Sequence, residues 1–468
     1  MEVVKKDVVN ATGPIQLCAG HEGGAEAAVH AVRALFDDSA TDAIMFVDAS
    51  NAFNRLNRRV ALHNIQYVCP AMARILINVY RSETCLFVAG RTLHSREGTT
   101  QGDPMAMAMF ALATVPLILA VAENNSTQAW FTDDAASGGR LHALRRWWDN
   151  LATVGPSYGY YPNATKTYLL VKPDRREEAI GIFQGTAVQM TCEGRRYLGG
   201  ALGSEEFSNL TFEAKVVEWT EEVTKLAEFA RSQPHAAFAA FTHELIGRWT
   251  YAIRVSAVFL QDAIKPLEDA ISQRLIPALT GQTAPGANIR ALFALPARFG
   301  GLGLINPTTL RSQHEKSRAF CQPLVDSILK QEGTVMQMQD LQAHVKKCHQ
   351  KAHKDHLKKQ ANETISSLST TQQRCVLAAQ EKGASSWLVA IPIERLGFKL
   401  HKGAFWDAMC LRYGWLIRHA PEKCRCGLAF EFNHVLTCRQ GGFPILRHNE
   451  LRDTFASLLS EVCIEVTT

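Results

Sequence analysis

The stretch that most constrains the fold runs from Ala129 to Ala136 and reads Ala-Trp-Phe-Thr-Asp-Asp-Ala-Ala. A run of β-forming residues ends in two adjacent carboxylates, Asp133 and Asp134, and small residues follow. The pattern predicts a strand, a tight turn and a second strand, with the acids at the tip. Two unit charges about 4 Å apart repel by roughly 4 kcal/mol at an effective dielectric near 20, so the pair favours a bound cation. The alternative is an ordinary solvated turn, where Asp is common.

A second apolar run that ends in a carboxylate lies upstream. Ala43-Ile-Met-Phe-Val is followed directly by Asp48, which predicts a buried strand with an acid at its carboxyl end. If the two strands lie side by side, Asp48 and Asp133 can present oxygen ligands to a pair of Mg²⁺ ions. Few protein ligands are needed, because Mg²⁺ takes one or two carboxylates together with substrate phosphates and waters.

Length and composition limit the class of protein. A chain of 468 residues predicts two to four domains, and 47% hydrophobic with 20% charged residues is normal for a globular protein. The net charge of +5 is compatible with a nucleic-acid partner but does not establish one. The 12 cysteines are scattered except for Cys424 and Cys426, which argues against a secreted disulfide scaffold and predicts an intracellular, reducing location. No signal peptide is visible from Met1 to Asn10.

One uncharged segment reaches the length of a membrane span, from Met105 to Ala122. Thr114 and Pro116 interrupt it, and alanine and methionine rather than leucine fill its first half. We interpret it as a buried helix, with a membrane segment as the alternative. The polar loop before it contains Gln101 and Gly102, and such a glycine loop at the start of a helix can receive a nucleotide phosphate or base.

Several further elements follow from local patterns. Short strands are expected between Ile180 and Val188. Helices and a hairpin are expected at Ala25 to Phe36, Asn57 to Gln66 with Asn57 as the cap, Cys85 to Arg96 as the hairpin, Thr211 to Phe229, and within Ala236 to Leu279. Lys and His residues crowd the segment from Gln342 to Gln360, which indicates either a solvated helix face or a surface that grips nucleic acid.

A metal site is predicted near the end of the chain. Cys424 and Cys426 are followed after seven residues by His434 and after three more by Cys438. Thiolate and imidazole ligands at this spacing suit a tetrahedral structural Zn²⁺, which contributes ~10 to 16 kcal/mol to the folding of a small unit. Four unrelated residues are the alternative, although the glycine after Cys426 suits a ligand turn.

Five short motifs then occur in the order and approximate spacing of the palm motifs of reverse transcriptases. They are Phe46-Val-Asp48 with Ala52-Phe53-Asn54, Thr100-Gln101-Gly102-Asp103-Pro104, Phe131-Thr132-Asp133-Asp134, Tyr161-Pro-Asn163-Ala-Thr-Lys166-Thr, and Arg196-Tyr-Leu198-Gly-Gly200. Within that superfamily the chain most resembles the reverse transcriptases of non-LTR retrotransposons that carry a restriction-like endonuclease. Three later features support this narrower resemblance: Leu295 to Leu304, the Cys and His cluster, and Arg447 to Arg452.

The resemblance implies a role for each motif residue. Asp48 and Asp133 would bridge two Mg²⁺ ions with Asp134 in support, and Gln101 with Gly102 would face the incoming nucleotide. Lys166 would lie near the leaving phosphate, or else be a surface lysine.

Phe53 separates two classes of polymerase. By resemblance its ring excludes a 2′-hydroxyl and favours deoxynucleotides, although packing is its simpler role. RNA-dependent RNA polymerases usually have a polar residue at this position and a Ser-Gly loop in place of Gln101-Gly102, so DNA synthesis is the better interpretation.

The expected fold is α+β: a right-hand polymerase palm with an antiparallel sheet and helices on one face, a helical thumb and a small zinc knuckle. The expected boundaries are a remnant of the fingers at 1–42, the palm at 43–205, the thumb at 206–310, a basic helical linker at 311–400, the CCHC zinc knuckle region at 401–445 and the start of an endonuclease-like domain at 446–468. By this resemblance the chain is truncated at both ends.

Three functions therefore remain open from the sequence. The first is an RNA-directed DNA polymerase of a retrotransposon, primed at a nicked target when complete, with an RNA template, a DNA primer or target and dNTPs as partners. The second is a catalytically inactive retroelement remnant that only binds nucleic acid. The third is a non-enzymatic scaffold of helices and zinc. The resemblance implies a nuclear location and no membrane partner.

Overall fold

A computed structural model describes residues 4–100, 102–256, 261–330 and 335–463. The fold is mixed α/β, with 62% helix and 11% strand. The strands are β1 (Ala43–Val47), β2 (Thr84–Val88), β3 (Arg91–Ser95), β4 (Ser126–Phe131), β5 (Asp134–Gly139), β6 (Tyr168–Val171), β7 (Gln189–Thr191), β8 (Gly194–Tyr197) and β9 (Gly200–Gly203).

Helices make up most of the rest of the chain. The first group is α1 (Lys5–Thr12), α2 (Gly24–Asp37), α3 (Ala52–Arg55), α4 (Arg58–Val68), α5 (Pro70–Tyr80), α6 (Ala106–Ala120), α7 (Leu141–Tyr158) and α8 (Arg176–Ile182). The second group is α9 (Glu205–Ala230), α10 (Pro234–Ala240), α11 (Ile246–Val255), α12 (Lys265–Ala270), α13 (Ile276–Thr280) and α14 (Ala287–Ala294). The last group is α15 (Arg311–Lys330), α16 (Val335–Ser366), α17 (Thr370–Ala379), α18 (Ser386–Val389), α19 (Lys402–Tyr413), α20 (Phe432–Thr437) and α21 (Phe443–Ser460).

The main sheet has five strands in the order β4-β5-β1-β6-β7. β1 is central and pairs antiparallel with both β5 and β6, whereas β7 joins β6 in parallel. All five residues of β1 are buried. This explains why its sequence is continuously apolar rather than alternating, since both faces of the strand are covered.

The expectation of helices on one face of the sheet is wrong. Met45 and Val47 point into a core shared with α4, α6 and α7, whereas Ile44 and Phe46 point into a second core with α2 and α15. The period of two along a strand sends alternate side chains to opposite faces, so a strand that is apolar throughout needs cover on both sides.

The packing also divides the chain differently from the predicted boundaries. Residues before 43 belong to the sheet unit, because α2 packs on one face and Gln16 forms a bridge with Trp130 of β4. The segment 311–400 is largely helical, and its helices pack into two cores. Cys321 and Leu324 of α15 are buried in the core beside α2, while the end of α16 together with α17 and α18 enters a separate helical core.

That separate core contains α9 to α14 and also α19, whose Phe405 and Met409 are fully buried in it. α19 therefore packs with the helices of 206–310 rather than with the Cys and His cluster, and α21 begins at Phe443, before the predicted boundary at 446.

Local predictions had mixed outcomes. The side chain of Asn57 caps α4 by accepting from the Val60 amide, and β2 and β3 form the predicted hairpin. Between Ile180 and Val188, in contrast, the chain finishes α8 and turns, and β7 starts only at Gln189. The uncharged segment after Met105 forms α6, most of which is buried. Within the described ranges, no helix is long and apolar enough to cross a membrane.

Candidate functional site

The predicted acids lie at one edge of the main sheet. β4 and β5 form a hairpin in which Phe131 pairs with Asp134 and only Thr132 and Asp133 make the turn. β1 pairs with β5 up to Val47 and Ala135. Asp48 directly follows Val47 and Asp134 directly precedes Ala135, so both acids lie at this end of the ladder.

The electrostatics of the cluster agree with this proximity. Partial burial, together with the charges of Asp133 and Asp48, raises the pKa of Asp134 to about 6 from an ordinary value of 3.8. Burial and the same three carboxylates also raise the pKa of the Tyr160 hydroxyl well above 10. The edge of the sheet thus carries an excess of negative charge, and carboxylate oxygens are the ligands that Mg²⁺ takes.

The acids are not gathered as tightly as ligands around one ion. Among the described residues, the only set of three or more His, Cys, Asp or Glu whose ligand atoms all lie within 4.8 Å of one another is the Cys and His cluster. The three carboxylates share an electrostatic environment without meeting that distance.

Gln16 fastens the turn that carries the acids. Its side-chain amide donates to the Thr132 carbonyl at 3.0 Å and accepts from the Thr132 amide at 3.0 Å. Thr132 has a φ of 56°, a conformation that a β-branched residue rarely adopts. Two hydrogen bonds from a fully buried glutamine hold this backbone in place immediately before Asp133. No pattern around Gln16 in the sequence signals this role.

Two tyrosines lie near the acids, and the sequence analysis gives neither of them a role. The Tyr160 hydroxyl donates to the backbone carbonyl of Asp133 at 2.8 Å, and its ring packs against Trp130. Tyr197 lies on β8, and its buried hydroxyl has no hydrogen-bond partner among the described residues. Burial and the charge of Asp134 raise the pKa of Tyr197. Tyr160 directly precedes the motif that contains Lys166, and Tyr197 lies within the motif from Arg196 to Gly200, so these two motifs were the available signals.

The segment that carries Lys166 lies beside the strand of Asp48. The Asn163 amide donates to the Asp48 carbonyl at 2.8 Å, and the Ser50 amide donates to the Tyr161 carbonyl. Lys166 ends a short 3₁₀ turn and is exposed. Among the described residues it forms no ion pair within 4.0 Å, so its ammonium is available to an anion.

The predicted nucleotide-contacting residues have different outcomes. Phe53 is half-buried, and its ring stacks on Phe110 of α6 with 4.5 Å between the ring centroids. Gly102 is exposed with a φ of 90°, which favours glycine over other residues. Gln101 lies outside the described residues.

Arg58 fixes the loop that leads to Gly102. Its buried guanidinium donates to the carbonyls of Ser95, Glu97 and Gly98 at 2.9 to 3.1 Å. Further along, the Tyr80 hydroxyl donates to the Asp103 carboxylate, and burial with that hydrogen bond raises the pKa of Tyr80 to about 12. The loop is therefore attached to α4 and α5 on both sides of position 101.

The Cys and His cluster is assembled as its spacing predicted. Cys424, Cys426, His434 and Cys438 place one ligand atom each within 4.8 Å of all the others, and Cys426 Sγ lies 3.0 Å from His434 Nε2. The Cys424 amide donates to Leu428 and the Gly427 amide to Cys424, which forms a tight ligand turn with Gly427 at a φ of 90°. Thiolate and imidazole donors fit Zn²⁺, so this cluster could hold a zinc ion.

Comparison with known proteins adds no family assignment. No protein-family model matches the chain, and no curated protein matches it.

Proposed function

We propose that this chain is the polymerase part of a retroelement protein, an RNA-directed DNA polymerase that extends a DNA primer on an RNA template. The observation that carries the proposal is the register of the main sheet. It sets the carboxyl end of β1 beside the turn between β4 and β5, so that Asp48, Asp133 and Asp134 come from distant parts of the sequence to one edge. The proposal includes the interpretation of the sheet unit as a palm and of the helical unit as a thumb. It also includes the binding sites for Mg²⁺ and dNTPs.

The charges of the site support transfer of a nucleotide. When bound, Mg²⁺ would activate the primer 3′-hydroxyl and neutralise the triphosphate. The raised pKa of Asp134 is the response of a carboxylate to two others nearby, and a divalent cation relieves that repulsion. Lys166 lies beside the Asp48 strand, and its ammonium has no ion-pair partner in the part of the chain that the structure describes. A cation there would stabilise charge that develops on a leaving pyrophosphate.

Phe53 supports the choice of deoxynucleotides. Its ring is held from one side by Phe110, so it cannot turn freely away from a sugar that packs against it. A bulky, fixed ring disfavours an additional 2′-hydroxyl. We therefore expect Phe53→Val to raise the ratio of ribonucleotide to deoxynucleotide incorporation, measured on one template with both substrates. If Phe53→Val has the same incorporation ratio as the unmodified chain, Phe53 does not take part in substrate selection.

Primer extension tests the main proposal. The chain is incubated with an RNA template, a labelled DNA primer, dNTPs and Mg²⁺, and is compared with Asp133→Ala. Asp149→Ala is the matched control, because Asp149 is an exposed acid on α7 that pairs with Arg145. We expect extension by the unmodified chain and by the control, and a loss of at least about 10²-fold in Asp133→Ala. Equal incorporation by all three proteins would overturn the assignment.

A catalytically inactive remnant that only binds nucleic acid is the second candidate. The observation that suits it is that the three carboxylates do not all lie within 4.8 Å of one another, unlike the ligands of the Cys and His cluster. In that case the unmodified chain binds a primer–template duplex, yet its incorporation with Mg²⁺ does not exceed that of Asp133→Ala.

The Cys and His cluster has a separate role in this proposal. Zn²⁺ held by Cys424, Cys426, His434 and Cys438 would stabilise a small knuckle whose own apolar core contains few residues. The knuckle would help to hold the nucleic acid rather than take part in nucleotide transfer.

A further inference from the structure

A cleft in the helical core combines several cations with few anions. It encloses about 560 Å³ between α9, α13, α19 and the loop after α19. Arg231, Arg274, Lys402 and Arg418 line it, and Glu228 is the acid among its lining residues. The cleft is formed by elements that take no part in the acidic edge of the sheet.

The four cations are not neutralised by the protein itself. Within the described part of the chain, none of the four forms an ion pair with a carboxylate within 4.0 Å. Arg274 instead donates to the Thr224 hydroxyl at 3.4 Å. Like charges in one cleft repel, so an anion that enters it gains from several cations at once. Lys402 is also the first residue of α19, and the amino end of a helix adds positive potential there.

Trp406 indicates which part of a ligand the cleft can recognise. The Arg418 guanidinium lies 4.5 Å from the centroid of its ring, and the Lys402 ammonium lies 4.4 Å from the same ring. The indole NH is directed to the Ala278 carbonyl. Two cations thus lie over the ring, which leaves it poorly suited to stacking on a base. Cations held on an aromatic ring remain available to phosphate oxygens at their outer side.

We infer that this cleft binds consecutive phosphate groups of a single nucleic-acid strand, without reading its bases. The inference rests on the proposed function for the identity of the strand as template or product. Its chemical basis does not depend on catalysis, because phosphodiester groups bind to arginine and lysine through charge and hydrogen bonds alone. A free polyphosphate shares this chemistry and is the competing source of the same anion.

The test compares two triple variants that remove equal charge. Arg231→Gln, Arg274→Gln and Arg418→Gln together empty the cleft of its arginines. The control combines Arg176→Gln, Arg311→Gln and Arg452→Gln, three exposed arginines that each have a carboxylate partner. Binding of a labelled single-stranded oligonucleotide is measured by fluorescence anisotropy at several salt concentrations, and thermal melting verifies that both variants are folded.

We expect the cleft variant to bind about tenfold more weakly at low salt. Its plot of log affinity against log salt should become shallower by about 2, because each lost phosphate contact with a single strand removes about 0.7 from the slope. The control should keep the affinity and slope of the unmodified chain. An equal loss in both variants, or no loss in either, would overturn the inference.

Two further arms identify the ligand. An abasic strand should bind as well as a strand with bases, and much weaker binding of the abasic strand would overturn the phosphate-only interpretation. Tripolyphosphate should displace the strand only at much higher concentration. If it binds as tightly as the strand, the cleft is a polyphosphate site and the strand assignment is overturned. If the unmodified chain binds the strand through the cleft but does not extend a primer, the proposed function is contradicted and the inference about the cleft still holds.

Discussion

At the scale of single residues, the acidic turn depends on a neutral side chain. Gln16 is far from Asp133 in the sequence, yet its amide satisfies both the NH and the carbonyl of Thr132 and also donates to the Thr114 hydroxyl on α6. The positive φ of Thr132 is unfavourable for threonine, so the turn needs an external restraint of this kind. Gln16 is a positioning residue, because it acts on the acids only through the backbone.

Replacing this restraint should affect metal use as well as stability. Gln16→Leu leaves the buried polar groups of Thr132 unpaired, which costs about 1 to 3 kcal/mol of unfolding free energy. If the turn relaxes, primer extension should also need more Mg²⁺ for half-maximal rate. Gln66→Leu is the control, since Gln66 is exposed on α4. An unchanged Mg²⁺ requirement together with a lower melting temperature would assign Gln16 a structural role only.

The raised pKa of Asp134 makes a prediction about pH. Its carboxyl binds a proton more tightly when folded, with a pKa of about 6 against an ordinary value of 3.8. Its charge therefore destabilises the folded state above about pH 6, and this penalty is lost as the pH falls through 6 towards 4. Without Mg²⁺, Asp134→Asn should raise the melting temperature by about 1 to 3 °C at pH 7.5 and by much less at pH 4.5.

The control for that measurement is Asp149→Asn, which changes an exposed acid with an arginine partner. A gain for Asp134→Asn that is the same at both pH values would show that the carboxylate cluster is not its cause. Adding Mg²⁺ should stabilise the unmodified chain more than the variant, because the variant has lost part of the charge that attracts the ion.

At the scale of single elements, the knuckle between Lys423 and Cys438 has little to hold it except its ligands. Its apolar core consists of Cys424, Val435 and Cys438 with Cys426 and Phe430 packed against them, so three of the five are themselves ligands. Burial of so few side chains cannot offset the entropy of ordering the segment. Metal and local structure should therefore be lost together.

We expect one zinc per chain by metal analysis and almost none in the double variant Cys424→Ser, Cys438→Ser. Limited proteolysis should then cut this variant within the knuckle, while the helical core around Phe405 stays resistant. Cys463→Ser is the matched control, because Cys463 is an exposed cysteine outside the cluster. Zinc retained in the double variant, or lost in the control, would contradict the assignment of the ligands.

How far the sequence predicted each element depends on whether its determinants are local. The acidic hairpin, the cap at Asn57 and the Cys and His spacing are encoded within a few neighbouring residues, and their local predictions agree with the structure. The prediction of short strands between Ile180 and Val188 is wrong, because the apolar residues there belong to the end of α8 and a turn. Tertiary packing decides such short apolar runs.

Contacts between distant parts of the chain could not be predicted from the sequence. Nothing near Gln16 indicates that it reaches Thr132, and nothing in α15 indicates that it covers the sheet. A helix with one apolar side can dock on any exposed apolar face, so its partner follows from the whole fold. The same reason explains why the sequence of 311–400 does not indicate which cores its helices enter.

At the scale of the whole molecule, α15 connects the sheet to the rest of the chain. Cys321, Leu324 and Ile328 are fully buried against α2, and α15 also packs along α11 and α16. The sheet that carries the acids is therefore completed by a helix that lies more than 170 residues after its last acid in the sequence. Stability of the candidate site should depend on that helix.

Leu324→Ala tests this dependence. Truncating a fully buried leucine costs about 2 to 5 kcal/mol of unfolding free energy, and faster hydrogen exchange should appear in β1 and β4 as well as in α15. Leu341→Ala on α16 is the control, since Leu341 is exposed, and it should cost less than about 0.5 kcal/mol. Faster hydrogen exchange confined to α15 would mean that the stability of the sheet does not depend on this helix.

The hydrogen bonds between Gln16 and Thr132 have a consequence for any attempt to isolate the sheet that carries the three acids. A shortened chain that starts at Ala43 would contain Asp48, Asp133 and Asp134 and every strand of the sheet. It would nevertheless lack Gln16, which holds the turn that carries Asp133 and leads into Asp134. It would also expose the apolar surface that α2 covers. The smallest autonomous piece must therefore include residues that carry none of the chemistry.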